Sequence, residues 1–354
     1  MSVNKISIKN FKSIKSLEFD CAKVNVIIGA PNVGKSNILE AVSLFDVPLA
    51  RDINQPFKGL VRFNYIKNLF FDNNSSEPVI IKIFDNDKIK HDQFLGLSSN
   101  YEEYHFLITS SENGLEYLKD FRNFHPNSIA LSIINSGQFK RLFYPQGNLE
   151  NIKSVYNTKI QSYTFNNSTN YSTNFTSFLL PPDGRNLVAY LNDNKALYSQ
   201  VQDFFNLYGL EMVIDGQINS FEIQKREGNI VHKYPFELTA DTLQRIIFYL
   251  AAIKSNKDCF IVFEEPETHS FPPYISTLAQ NIILDETNQF LISTHSPYLL
   301  NKLISDVPEG QLKVHVAYYE DYQTKLHTLK KEDLITILDD SVDAFFNLDR
   351  FLSE

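Results

Sequence analysis

Eight consecutive residues, Gly29-Ala30-Pro31-Asn32-Val33-Gly34-Lys35-Ser36, fit the pattern G-x-x-x-x-G-K-[ST] and restrict what this chain can fold into. The preceding run, Val24-Asn25-Val26-Ile27-Ile28, is apolar and β-branched, as a buried parallel strand is. The following run, Ser36-Asn37-Ile38-Leu39-Glu40-Ala41-Val42, has apolar residues at helical spacing. Strand, glycine loop and helix are the setting in which this pattern cradles phosphate, because free N–H groups at a helix N-terminus supply positive potential. Lys35 would reach the β- and γ-phosphates and the Ser36 hydroxyl would ligate Mg²⁺. The residues assigned to the nucleotide are Gly29, Asn32, Val33, Gly34, Lys35, Ser36 and Asn37. A plain glycine turn before a helix is the alternative that this context disfavours.

The chain of 354 residues has room for one large domain with an insertion, or for two domains. Its 29 Phe and 18 Tyr permit a substantial core. A net charge of −9 excludes a surface that attracts nucleic acid throughout, though not a local basic groove. Two cysteines, Cys21 and Cys259, rule out a disulfide framework. The N-terminus lacks the apolar core of a signal peptide, and no run reaches the length of a membrane span. A cytoplasmic location with no membrane partner is expected.

Along the chain, Lys5 to Phe11 and Ile14 to Phe19 alternate as half-buried strands, and Val79-Ile80-Ile81-Lys82-Ile83 reads as another. Residues 91–230 carry no motif that chemistry explains. Ser110-Ser111-Glu112-Asn113-Gly114 and Pro145-Gln146-Gly147-Asn148 read as turns, and the Asn/Ser/Thr-rich tract 163–177 as an exposed loop. Residues 186–208 have helical periodicity, and residues 212–224 alternate like paired strands. Without sustained heptads or a C-x-x-C, a coiled-coil arm or zinc hook is not expected. The pairs Lys140-Arg141 and Lys225-Arg226 read as solvated surface.

A second decisive stretch is Phe260-Ile261-Val262-Phe263-Glu264-Glu265-Pro266-Glu267, an apolar strand ending in paired acids. Glu264 would hold Mg²⁺, and Glu265 would orient and polarise the attacking water. Residues 288–297 repeat the arrangement, with His295 at the carboxyl end of a strand. Ligands collect at the carboxyl ends of parallel strands, where all three motifs would sit. Farther on, Lys313 to Tyr319 reads as a strand, 320–325 as polar text, and Lys331 as a helix start.

The opening Ile6-x-Ile8-x-Asn10-Phe11-Lys12-Ser13-Ile14 resembles the start of ATPases in the RecF, SMC and OLD (overcoming lysogenization defect) group, which have ABC-type ATPase heads. Glu264-Glu265-Pro266-Glu267-Thr268-His269, followed by Ser293-Thr294-His295-Ser296-Pro297, resembles the OLD-like ATPases specifically, with RecF second. The resemblance covers residues 1–85 and 235–354 in outline. It implies an α/β P-loop fold, an ABC-type ATPase head with an antiparallel β lobe and an α+β insertion. It divides the chain into head (1–90), inserted lobe (91–230) and head again (231–354). It makes His295 the switch histidine and Thr239 part of the signature that contacts nucleotide on an opposite subunit. No glutamine loop is assigned; Gln55 is the one glutamine before residue 90.

Two departures qualify this resemblance. The signature Ser-Gly-Gly or Ser-Asp-Gly becomes Leu238-Thr239-Ala240-Asp241, which lacks the glycine and adds a negative charge near phosphate. Leu-His-Pro after the acids becomes Ser270-Phe271-Pro272. The stretch after Ser305 is too short for an appended Toprim nuclease, so none is expected. The resemblance thus implies an ATPase using ATP and Mg²⁺, assembling as a homodimer or higher oligomer around nucleotide. It would control a separate effector protein, a nuclease or toxin, in bacterial antiphage defence. A RecF-like clamp on duplex DNA and an ATP-binding scaffold with little turnover are the alternatives.

Overall fold

The computed structural model describes residues 2–352, apart from 50–51, 53, 86–91, 101–102, 119–127, 135, 144–158, 168–170, 172, 216–219 and 340–342. Among these described residues, three sheets organise the chain. Strands β1 (Val3–Phe11), β2 (Ile14–Asp20), β4 (Val79–Asp85), β5 (Gln93–Asn100), β6 (Glu103–Thr109), β7 (Ser128–Ile133) and β8 (Phe139–Phe143) form an antiparallel sheet in the order β2-β1-β4-β5-β6-β7-β8. The second sheet runs β16-β15-β3-β14-β13-β9. It comprises β3 (Val24–Gly29), β9 (Ile160–Tyr163), β13 (Phe260–Glu264), β14 (Gln289–Ser293), β15 (Leu312–Glu320) and β16 (Gln323–Thr328). These strands are parallel except β16, which returns antiparallel on β15. A small antiparallel sheet holds β10 (Glu211–Asp215), β11 (Ser220–Glu227) and β12 (Ile230–Pro235).

Every residue of β3 is buried, because a central parallel strand is covered on both faces. Its side chains divide between two cores. Val24, Val26 and Ile28 join a cluster with the helices α2 (Leu187–Asp193), α3 (Lys195–Asn206), α4 (Asp241–Ser255), α5 (Pro272–Leu284) and α6 (Pro297–Asp306). Ile27 joins the other cluster, with the inner face of the antiparallel sheet and Ile38, Leu39 and Val42 of α1 (Lys35–Ser43). The strand period of two assigns alternate residues to opposite layers, and α1 lies between the two large sheets. A last helix, α7 (Lys331–Asp339), packs on α6.

The expected divisions at residues 90 and 230 do not coincide with these layers. β5 pairs with β4, so β5 to β8 continue the sheet begun at Val3. β9, four residues long, lies in the parallel sheet directly beside β13. Sequential antiparallel strands need no motif to announce them, so the sheet continues through text that reads as featureless. Among its described residues, tract 163–177 is also more embedded than expected of an exposed loop. Tyr163 is fully buried, and the half-buried Tyr171 packs edge-on against Phe221. The turn expected at 145–148 lies outside the described residues. At 110–114, a bend leads into a short helical turn.

Candidate functional site

Register brings the motifs together. Ser293 of β14 pairs with both Ile27 of β3 and Glu264 of β13, so β13 and β14 end level and β3 runs two residues further, to Gly29. Beyond those ends lie the phosphate loop, Glu265 and the Thr294-His295 pair.

The loop is built around two glycines that a side chain would not permit. Gly29 has φ 151°, and a Cβ there would stand 2.3 Å from the Ala317 carbonyl oxygen. Gly34 has φ 95°, and its Cβ would meet Thr324 Oγ1 at 2.0 Å. Both lie where glycine is favoured, as does the positive φ of Asn32 for a residue that tolerates it. Behind the loop, the Thr324 hydroxyl donates to the Val33 carbonyl at 2.8 Å. Ser13 Oγ and Thr324 Oγ1 are 2.6 Å apart. The Asn37 side-chain amide donates to Ser13 Oγ at 2.7 Å. Asn37, assigned to the nucleotide from sequence, thus spends its side chain on this brace. α1 starts at Gly34 with no side-chain cap, which leaves its first amides available to an anion. Lys35 Nζ donates to the carbonyls of Gly29 at 2.9 Å and Ala30 at 2.8 Å. Burial lowers its pKa, against the opposing pull of Glu265.

The acid pair divides its contacts. Glu264 Oε1 accepts from Arg62 Nη2 at 3.1 Å. Arg62 Nε donates to Glu40 Oε1 at 2.6 Å, and Lys12 pairs with the other Glu40 oxygen. Lys12 Nζ also donates to the Arg62 carbonyl at 2.7 Å. Four alternating charges thus join the β1–β2 turn, α1, the segment at residue 62 and the end of β13. Burial lowers the Lys12 pKa despite Glu40; for Arg62, burial acts downward, but Glu40 and Glu264 outweigh it and the pKa rises. Glu40, Arg62, Ser162, Thr164 and Glu264 line a cavity of about 210 Å³ at this point. The sequence reading missed Glu40 and Arg62. An acid inside an apolar helical run was the available signal, since a buried carboxylate needs a cation.

Glu265 turns the chain with φ 42°, and its N–H donates to the Ser293 carbonyl at 3.0 Å. Its Oε1 lies 3.5 Å from His295 Nε2. Burial and the Lys35 charge both lower the His295 pKa, while Glu265 opposes them. Lys35, Glu265 and His295 therefore form one electrostatic unit. Glu267 is 7% exposed. Its Oε1 accepts the Thr294 hydroxyl at 2.6 Å and the His295 N–H at 2.9 Å. Its Oε2 is buried without a hydrogen-bond partner among the described residues, and burial raises its pKa despite the bonds to Oε1. Glu267 could be read in the motif, but its work depends on β14 lying alongside.

Thr239 is separate. It makes no hydrogen bond to the phosphate loop, the acid pair or His295 among the described residues. It precedes α4 and lines an apolar groove of about 560 Å³ with Tyr234, Leu238, Phe271 and Tyr274. The negative charge expected at Asp241 is balanced: Arg245 Nε donates to it at 2.6 Å, and His269 Nδ1 lies 3.4 Å away. Thr242 Oγ1 donates to the His269 carbonyl at 2.8 Å and accepts the Phe271 N–H at 3.1 Å. The start of α4 is thus latched to the loop after the acid pair, and Pro272 of the altered Ser270-Phe271-Pro272 opens α5. No helix among the described residues is long and apolar enough to cross a membrane.

Three comparisons with known proteins bear on this geometry. A family model described as AAA domain, putative AbiEii toxin, Type IV TA system matches residues 24–301. No curated protein matches. Among solved structures, an Smc head bound to the C-winged helix domain of ScpA is similar at 16% identity and TM-score 0.52, covering 94% of this chain and 99% of that one. An Smc head with an extended coiled coil, bound to the C-terminal domain of ScpA derived from Pyrococcus furiosus, gives 14% identity and TM-score 0.49 over 96% and 99% of the chains. The SMC head domain from Thermotoga maritima gives 14% and 0.45 over 93% and 100%. The fold is that of the ABC-type P-loop ATPase heads, mixed α/β with an antiparallel lobe.

Proposed function

The chain belongs to the AAA-domain family whose model spans residues 24–301, and from that premise we propose that it binds ATP with Mg²⁺ and hydrolyses it within a nucleotide-joined dimer or larger assembly. The observation that carries this reading is the convergence of Lys35, Glu265 and His295 beyond the carboxyl ends of β3, β13 and β14. The residues fit the group: the two glycines let the loop pack against Ala317 and Thr324 where a Cβ would clash, α1 opens uncapped, and a partly exposed carboxylate, Glu264, stands at the end of β13.

Mg²⁺ bound with ATP supplies charge neutralisation on the phosphates, and Ser36 and Glu264 are the residues that would hold it. The Lys35 ammonium, now satisfied by two loop carbonyls, exchanges them for phosphate oxygens. Glu265 accepts a proton from the attacking water. His295, kept neutral by burial and by Lys35, can hydrogen-bond without adding charge beside Glu265. In the assembly, Thr239 and the uncapped start of α4 face nucleotide held by a second copy. Balancing Asp241 with Arg245 lessens the repulsion that its carboxylate would otherwise exert there.

In its finer form, the reading is an OLD-like ATPase that holds or releases a separately encoded nuclease or toxin in antiphage defence. The family's description names a putative toxin of a type IV toxin–antitoxin system. Binding with little turnover is favoured by one observation, the missing glycine after Thr239. The test is ATP turnover measured with and without duplex DNA, together with light scattering of Glu265→Gln. We expect DNA-independent turnover in the native chain, and an ATP-retaining, assembled Glu265→Gln variant with turnover lowered about 100-fold. Normal hydrolysis by that variant would refute the role given to Glu265; turnover that requires DNA would favour the clamp.

A further inference from the structure

The His295 backbone is tightly held and its side chain is not. Glu267 fixes the N–H, and Ser296 caps α6 immediately after it, accepting the Leu299 N–H at 3.3 Å. Among the described residues, the imidazole has the 3.5 Å approach of Glu265 and one aromatic neighbour, Phe345, whose ring centroid lies 6.2 Å away with the planes inclined at 36°. Its side chain is 40% exposed.

Phe345 comes from a segment that nothing in the sequence connected with the site. Residues 343–352 follow α7 and are pinned to the helical core by Ala344 and Phe351, both buried. Within the segment, the Phe345 N–H donates to Asp343 Oδ1 at 2.8 Å, and the Asn347 side-chain amide donates to the Asp343 carbonyl at 2.9 Å. Phe345 is half-buried, whereas the next residue, Phe346, is 88% exposed. The segment therefore turns one ring of the pair toward His295 and leaves the other in solvent.

We propose that Phe345 is a positioning residue for hydrolysis: its ring walls one face of the His295 imidazole and sets the orientation from which Nε2 meets Glu265. A weakly held imidazole rotates about its Cβ–Cγ bond, and a ring anchored by an independent core contact removes much of that freedom. Small displacements of a reacting group cost far more rate than binding, because orientation enters the barrier and not the affinity. The proposal rests on the ATPase reading of the site, and its test separates the two.

The experiment compares Phe345→Ala, Phe345→Tyr and Phe346→Ala for kcat and KM of ATP hydrolysis. In parallel, histidine-labelled protein without nucleotide is examined by NMR, with His295 assigned from His295→Ala. Phe345→Ala is expected to lower kcat about tenfold or more with KM within about threefold, and to move the His295 ring-proton resonance by removing a ring current. Phe345→Tyr restores both, and Phe346→Ala leaves both as in the native chain. If the native chain hydrolyses ATP and Phe345→Ala keeps its kcat, the proposal is overturned. If the native chain turns over no ATP, the reading of the site fails, and the resonance alone decides: a His295 signal indifferent to Phe345→Ala overturns the positioning. Should Phe345→Ala fail to fold, Phe345→Leu takes its place with the same two readouts.

Discussion

A single oxygen of Glu267 holds both the hydroxyl of Thr294 and the backbone N–H of His295, at 2.6 and 2.9 Å. The turn after the acid pair therefore fixes the histidine loop directly, across the pairing of β13 with β14. Glu267→Gln keeps that acceptor and Glu267→Ala removes it. Steady-state assays should find kcat within about threefold of native for the amide and at least about tenfold lower for alanine. Equal losses in both variants would show that the carboxylate's charge, not its acceptor oxygen, is what counts.

Lys35 is buried with its ammonium on two loop carbonyls, so it ties the loop together. Lys35→Ala should abolish ATP binding in calorimetry, lowering affinity by about 100-fold or more, in keeping with charge-assisted contacts worth about 1.5–3 kcal/mol each. Binding at native affinity would count against the whole assignment of the phosphate loop.

The chain of charges through Glu40 makes a prediction about stability. Glu40 is 5% exposed and is paired with both Lys12 and Arg62. Glu40→Gln leaves the mostly buried Lys12 ammonium without its counter-charge, at a cost of about 1–3 kcal/mol in denaturant unfolding. Arg62→Ala should cost less, because Arg62 is 69% exposed and water replaces its contacts. A larger loss for Arg62→Ala would reverse this order and refute the argument.

His315 sets an acid limb of stability. It is fully buried on β15, with Nδ1 2.9 Å from Thr328 Oγ1 and its ring edge-on to Phe19. Burial, aided by Lys313 and opposed by Asp20, lowers its pKa to about 4. The folded state thus resists a proton that the unfolded state takes up at about 6.5. Its stabilising contribution is complete above pH 6.5 and is lost as pH falls toward 4, by up to about 1.4 kcal/mol per pH unit. Thermal unfolding between pH 4 and 7 should show a steeper decline for the native chain than for His315→Gln. Parallel curves would mean that His315 does not titrate in this range.

What was legible followed from local pattern. The continuous burial of β3, the apolar run of β13 and the histidine closing β14 are written in contiguous residues, and parallel pairing of these strands does the rest. What was not legible depends on pairing across the sequence. β9 is four residues long, and its place beside β13 follows from a partner about a hundred residues away. β16 begins inside the polar text of 320–325, yet the buried Thr324 on it completes the phosphate loop. Arg62 lies in a loop without periodicity, and its partners Glu40 and Glu264 lie 22 and 202 residues away. Phe345 follows a helix that offered no reason to look beyond it.

The brace behind the loop has a consequence for how the chain acquires its site. Ser13 and Thr324 are 311 residues apart in sequence, yet Thr324 stands against both Gly34 and the Val33 carbonyl. A nascent chain displays the phosphate-loop residues early, but their cradle has no floor until β16 has been synthesised and has docked. Contacts of such separation form slowly. The brace therefore closes late: the glycine loop reaches this geometry once the β1–β2 turn and β16 have met.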